Sequence, residues 1–303
     1  MPENYEKCYN KFKDELEDYI QTKESKVYHY TSSSGLKNIL SSKKIWFSNI
    51  EYLNDEDEMY YTYKLAINVA NELKDKLNED FYNIIINSHE RYLKQKESQK
   101  QFFDYYVASF SKEKDSLSLW NYYTKSSNSA GYNICFNNIK DIINHQLEDL
   151  KDKLDTSRIL FGKVVYNKEK QKNILKKYMI NFNKIYLKET KKENSTLLEL
   201  FYWYTIRDCS IFFKHPAFEQ EKEFRIILPR GIYAENNDFI KIRESGKLFI
   251  PYLEIEFKPQ NVLSITCSPT TKNQLIQAGV KKMLLSYGYN NIPVEGSDIP
   301  LRY

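Results

Sequence analysis

The chain has 303 residues, 41 % of them hydrophobic, and its 45 basic and 41 acidic residues leave a formal net charge of +4. That length and apolar content suffice for one large core or two modest ones, and a small basic excess without a long basic block neither indicates nor forbids a nucleic-acid partner. Cys8, Cys135, Cys209 and Cys267 have no CxxC or Cys/His ligand spacing, so no zinc site or disulfide framework is expected; with a charged amphipathic N-terminus and no run near ~20 apolar residues, the reading is a cytoplasmic protein without a membrane partner.

Tyr5, Cys8, Tyr9, Phe12, Leu16, Tyr19 and Ile20 recur at helical spacing and predict an amphipathic first helix, ending before the polar stretch 21–26. Val27-Tyr-His-Tyr-Thr31 reads as a strand. Ser32 or Ser33 can cap a helix carrying Leu36, Ile39 and Leu40, and Lys44-Ile-Trp-Phe-Ser48 reads as a second strand. The acidic cluster Asp55-Glu-Asp-Glu58 then precedes a helical pattern through Met59, Tyr63, Ile67, Ala70, Leu73 and Leu77, with a break near 78–80 and a continuation towards Gln101. Acids in a first turn suit the helix dipole, and Asn54 or Asp55 can cap it.

Asp104 to Ser111 and Gly131 to Phe136 predict strands on either side of a short helix over 117–124. In that helix Trp120 and Tyr123, three apart, form one aromatic face that serves either as core or as a stacking platform for a ring. A helix over 138–153, a strand over 159–166, a helix over 168–186 and an apolar helix over 196–213 with Asp208 inside it follow. After a loop over 231–247 come strands at 249–257 and 262–267, a helix over 271–285 and a last short strand near 292–294. The pattern predicts an α+β fold with a central, mostly antiparallel sheet, continuous or split, and flanking helices. It reads as one elaborated domain over 1–303, with helical insertions near 56–101 and 168–213.

The stretch Glu219 to Leu228 has period-two alternation. If it is extended throughout, Glu219, Glu221, Glu223 and Arg225 share one face, and Phe224, Ile226 and Leu228 the other. Same-face neighbours on a strand lie roughly 7 Å apart, so a carboxylate row needs a cation, a donor or a ligand beside it. Two readings follow: a solvated sheet face on which Arg225 pairs with Glu223 or Glu221, or an acidic ligand site.

Several separated pieces resemble a bacterial family of unknown function, DUF2971. They are Tyr28-His-Tyr-Thr31, Leu36 to Leu40 with Ile45-Trp-Phe-Ser-Asn49, the Asn54-Asp-x-x-Glu58 cluster, Ser109-Phe-Ser111, Trp120 to Tyr123, Gly131 to Phe136, Lys214-His215 with Glu221-x-Glu-x-Arg225, and Ser297 to Arg302. Glu56 stands where the family often has Pro, and Ser268-Pro269 where it often has Gly-Pro. The opening strand, helix and strand also look like the start of ADP-ribosyltransferase-type folds, although Tyr30 follows His29 where those folds usually have Gly.

That second resemblance implies an enzyme using NAD as substrate, a bacterial toxin or anti-phage effector with a macromolecular acceptor that the sequence leaves open. It implies catalytic roles for Glu223, Glu221 and His29, and cofactor contacts from His29, Tyr30, Thr31, Trp120, Tyr123 and Arg225. Asn54, Asp55, Glu58 and Ser111 are then expected on the substrate side. A carboxylate held near the ribose would stabilise the oxocarbenium-like transition state of nicotinamide loss. His29 and the two glutamates are expected to face one cleft within ~10 Å, with Glu223 dispensable for folding. Two alternatives remain at this level: a non-catalytic sensor of a nucleotide-type small molecule or phage component, and a nuclease whose Asp55, Glu58, Glu221 and Glu223 converge on Mg²⁺.

Overall fold

The structure, a computed structural model, describes residues 2–21, 26–53, 58–97, 105–123, 130–137, 139–144, 146, 154, 159–188, 195–230, 239–271 and 273–300. In chain order the elements are α1 (Pro2–Ile20), β1 (Lys26–Ser32), α2 (Ser33–Ser42), β2 (Lys44–Asn49), α3 (Glu58–Glu72), α4 (Glu79–Glu97), β3 (Tyr105–Ser111), α5 (Leu117–Tyr123), β4 (Gly131–Asn137) and α6 (Ile139–Asn144). They continue with β5 (Leu160–Lys163), α7 (Lys168–Lys188), α8 (Ser195–Phe212), β6 (Glu223–Pro229), β7 (Lys241–Ser245), β8 (Leu248–Glu256), β9 (Val262–Cys267), α9 (Gln274–Ser286) and β10 (Val294–Gly296). The architecture is α+β, with a mostly antiparallel sheet that has ten strands among the described residues. Among the described residues no helix is long and apolar enough to cross a membrane.

The chain divides into two compact units. One takes in Met1–Gln21, Leu53–Phe103 and Gly162–Glu219; the other takes in Thr22–Tyr52, Asp104–Phe161 and Gln220–Tyr303. The first unit is helical. The helical spacing in α1 buries Tyr5, Tyr9, Phe12, Leu16 and Ile20, and α8, apolar over most of its circumference, buries Leu198, Tyr202, Ile206, Cys209 and Phe212. Asp208 is tolerated inside α8 because Tyr9 Oη donates to its Oδ2 at 2.7 Å and Arg207 donates twice to its Oδ1, at 2.9 and 2.7 Å; a buried charge without such partners would be costly. The expected break near 78–80 is a cap: Asn78 Oδ1 accepts from the backbone N–H groups of Asp80 and Phe81 at the start of α4.

The second unit carries the sheet, whose main path runs β10-β9-β4-β1-β3-β2-β8-β7. Opposed residues in antiparallel pairs share a face, and here the two faces differ in character. Val27, Phe47, Phe110, Ile134, Phe136, Phe224, Ile226, Leu228, Leu253, Ile255 and Ile265 form the core with Leu36 and Leu40 of α2, Ile142 and Ile143 of α6, and Val280 and Leu284 of α9. Each such buried side chain contributes about 1.5–3 kcal/mol. The opposite face carries Tyr28, Tyr30, Ser48, Ser109, Ser111, Glu223 and Arg225, as the registers Tyr28↔Ser111, Ser48↔Val107, Ser109↔Arg225 and Ser111↔Glu223 require.

The sheet splits at β3. Its one edge is paired throughout with β6, from Tyr105↔Pro229 to Ser111↔Glu223. The other edge is shared by β1, which reaches it at Tyr28↔Ser111, and β2, which reaches it at Ser48↔Val107 and Asn49↔Tyr106. Between them the backbone carbonyl of Ser109 is met by the imidazole of His29 instead of by a strand, with Nδ1 3.3 Å away.

Ser32 caps α2, accepting from Gly35 N at 3.2 Å. Gly35 is required there for a close approach, since a Cβ would run into Oγ1 of buried Thr31 on β1. Gly35→Ala is therefore expected to lower stability by about 1–3 kcal/mol, visible as a fall in the melting temperature; an unchanged transition would show that α2 can shift off β1.

Three expectations are corrected. The extended stretch does not begin at Glu219: Pro216–Glu221 forms a 3-10 turn, Lys222 sits at φ 43°, and the strand starts at Glu223. Pro216 has the fixed φ that suits the first position of a helical turn, and the left-handed Lys222 ends it. The carboxylate row therefore does not exist. The loop expected over 231–247 contains the edge strand β7, joined to β8 across Gly246 at φ 62°. The strand expected over 159–166 is cut to β5, beyond which Val165 bridges in parallel to Phe213. Of the helix expected over 138–153, α6 is described; 138, 145, 147–150, 151–153 and the loop residues 231–238 lie outside the described residues.

Candidate functional site

His29 lies on the core face of β1, as does Val27 two residues before it. Its ring meets Phe110 edge-on, with centroids 5.6 Å apart. Burial draws the imidazole pKa below its ordinary value, against the opposing pull of the Ser109 carbonyl. A carbonyl only accepts, so the contact assigns the proton of the neutral ring to Nδ1. Thr31 shares this face and is 8 % exposed.

Tyr30 points the other way. Its hydroxyl donates to Glu113 O at 2.8 Å and accepts from Ser116 N at 3.0 Å, and its ring packs edge-on against Trp120 at 4.7 Å. Burial pushes the phenol pKa well up. Trp120 is itself buried and donates from Nε1 to Asp115 Oδ1 at 2.5 Å. Asp115 also accepts from Ser297 Oγ and Asp298 N. These hydrogen bonds tie the end of the chain to α5, which makes Trp120 a packing residue and not an open platform. Tyr123 ends α5, and its side chain lies outside the described residues, as does that of Glu58 at the start of α3; Asn54 and Asp55 lie outside them altogether.

Ser111 fastens the turn ahead of β6: its Oγ donates to Glu221 O at 2.7 Å and accepts from Glu113 N at 3.0 Å. Glu221 is therefore on the 3-10 turn, off the strand. Glu223 is 6 % exposed and Arg225 0 %. The guanidinium grips the carboxylate at both oxygens, Nε to Oε1 at 2.8 Å and Nη2 to Oε2 at 2.9 Å. This is the fork geometry in which arginine binds carboxylates most tightly. The pairing expected on a solvated face is present, but the face is buried.

Among the described residues, His29 and Glu223 do not face a common cleft. Phe224 and Phe110 oppose each other on the core face, where His29 packs, so alternation turns Glu223 to the other side of the sheet. Of the described residues that the transferase resemblance assigns to NAD, Trp120, Tyr30 and Arg225 are buried and bonded. Among the described residues no group of three or more His, Cys, Asp or Glu side chains is placed to hold a metal ion.

What lies open is a cluster that sequence reasoning passed over. Trp46 is 41 % exposed, and its ring lies 4.6 Å from that of Tyr252. Arg243 of β7 holds its guanidinium 5.9 Å from the Trp46 ring and donates from Nη2 to Ser48 Oγ at 3.2 Å. Registers Ser48↔Tyr252 and Lys241↔Tyr252 put Trp46, Ser48, Tyr252, Lys241 and Arg243 on one face. Lys44 and Lys241 share the carboxylate of Glu254, at 2.9 and 2.7 Å. Partial burial pulls the Arg243 pKa down from its ordinary value, with Tyr252 acting in the opposite sense. The available signal was the alternation Lys241-Ile-Arg243 ahead of Gly246, which reads as one arm of a hairpin.

An α+β protein with an open sheet split at β3 is thus the class that the structure defines. Residues 119–226, from α5 to the middle of β6, match the family described as "Protein of unknown function (DUF2971)", which supports the family resemblance on its pieces within that stretch, Trp120 to Tyr123, Gly131 to Phe136, Lys214-His215 and Glu221-x-Glu-x-Arg225. No curated protein and no solved structure matches the chain.

Proposed function

We propose that the chain is a sensor that binds a nucleotide-type small molecule without transforming it. The observation that supports this reading is the state of Glu223: a carboxylate gripped at both oxygens by Arg225 is neutralised, and so is ill suited to stabilise a developing positive charge on a ribose. Recognition needs no free acid. It needs ring faces and donors for an anion, and the same unit carries these on its sheet.

The test is calorimetric titration of the whole chain with NAD, ADP-ribose and ATP, alongside a nicotinamide-release assay with NAD and candidate protein acceptors. Saturable binding with no release above the spontaneous rate is expected. Release by the wild type would overturn the sensor reading in favour of ADP-ribosyl transfer from NAD. The Glu223–Arg225 pair would then have to open during turnover.

A further inference from the structure

We infer that Trp46, Ser48, Arg243 and Tyr252 form the binding site for this ligand, and that it takes a free nucleotide, with the phosphate on Arg243 and the base against Trp46. The inference rests on the nucleotide-sensor reading and gives it a location. The guanidinium has five N–H donors; one meets Ser48 Oγ, while Nε is buried and lacks a hydrogen-bond partner. No carboxylate pairs with it among the described residues, because Glu254 is held by Lys44 and Lys241. The patch has three cations, Lys44, Lys241 and Arg243, against the carboxylates of Glu254 and Glu256. A guanidinium without a carboxylate partner suits phosphate oxygens through its Nη donors, while the buried Nε marks its partial desolvation. The neighbouring indole, 41 % exposed and braced by Tyr252, supplies a face for a planar ring. A ring face beside an anion site is the chemistry of a nucleotide, more than of a bare anion or a bare ring.

The experiment titrates the full chain with ATP, adenosine and inorganic pyrophosphate, following heat and tryptophan fluorescence, for the wild type, Arg243→Gln, Arg243→Lys and Trp46→Phe. Wild type should bind ATP at least about tenfold more tightly than either fragment, with the fluorescence change lost in Trp46→Phe. Arg243→Gln should weaken ATP by about tenfold or more and Arg243→Lys by less, with unchanged circular dichroism as the check that the fold is kept. ATP affinity equal to wild type in Arg243→Gln would overturn this site while leaving the sensor reading in place. Failure of the wild type to bind any nucleotide would overturn both.

Discussion

Glu223→Gln is expected to lower the stability of the sheet unit by about 3 kcal/mol, contrary to the sequence expectation that this residue is dispensable for folding. Arg225 has no exposed surface and Glu223 almost none, so removing the carboxylate charge takes from a fully buried guanidinium the anion that grips it at two nitrogens, in a low-dielectric site where water cannot replace it. Gln keeps one acceptor, which places the cost at the lower end of the 3–5 kcal/mol typical of breaking a buried pair. The ion pair itself contributes less than this figure suggests. Replacing both partners by apolar residues of similar size, Glu223→Leu with Arg225→Met, should recover much of the loss, because burying a charge pair costs about as much as its attraction returns. Urea denaturation of wild type, single and double variants measures this. A single variant as stable as wild type would mean that Arg225 has other sufficient partners, and would reopen a functional role for Glu223.

The parts of the fold that were legible share one property: burial there follows from a short-range pattern. Alternation in Val27 to Thr31 and Lys44 to Ser48, with Ser32 between them as a cap, suffices for β1-α2-β2, and the apolar spacing in α1 matches the side chains it buries. Glu219 to Glu223 was misread because alternating glutamates fit a strand and a 3-10 turn equally well. What decides is Pro216 together with the left-handed backbone at Lys222, and a conformation of that kind is set by tertiary anchoring, here Ser111 Oγ on Glu221 O and Lys112 N on Lys222 O. The edge strand β7 was lost because edge strands carry charge that reads as loop.

The site was less legible than the fold, for a topological reason. That Glu223 and Arg225 pair at i, i+2 was readable; that His29 lies on the far side of the sheet from them depends on the chain of registers from β1 through β3 to β6. No local pattern encodes it. The same holds for Arg243, whose approach to Trp46 and Ser48 spans about 200 residues of sequence and becomes visible once β2, β8 and β7 are neighbours.

In the helical unit, stability is expected to fall by about 3 kcal/mol between pH 6.5 and pH 4 through one residue, His89 of α4. The side chain is 2 % exposed, enclosed by the rings of Tyr63 and Tyr202 at 5.5 and 5.7 Å. Its Nε2 lies 3.0 Å from Tyr202 Oη, while Nδ1 is buried without a hydrogen-bond partner. Burial pushes the imidazole pKa down to about 3, whereas in the unfolded chain it lies near 6.5. The folded state therefore binds the proton more weakly than the unfolded one. The stabilising contribution is complete above pH 6.5, declines as the pH falls below it, and is gone once the folded-state pKa is passed. Each pH unit inside that window is worth about 1.4 kcal/mol. His89→Phe removes the titration and leaves Tyr202 without this partner, so the variant should be less stable at pH 7, by about 1–3 kcal/mol, yet flatter towards acid. Urea midpoints followed by far-ultraviolet circular dichroism at pH 7, 5.5 and 4 distinguish the two effects. Parallel acid profiles for wild type and variant would show that His89 takes up its proton in the folded state, and that acid sensitivity arises elsewhere.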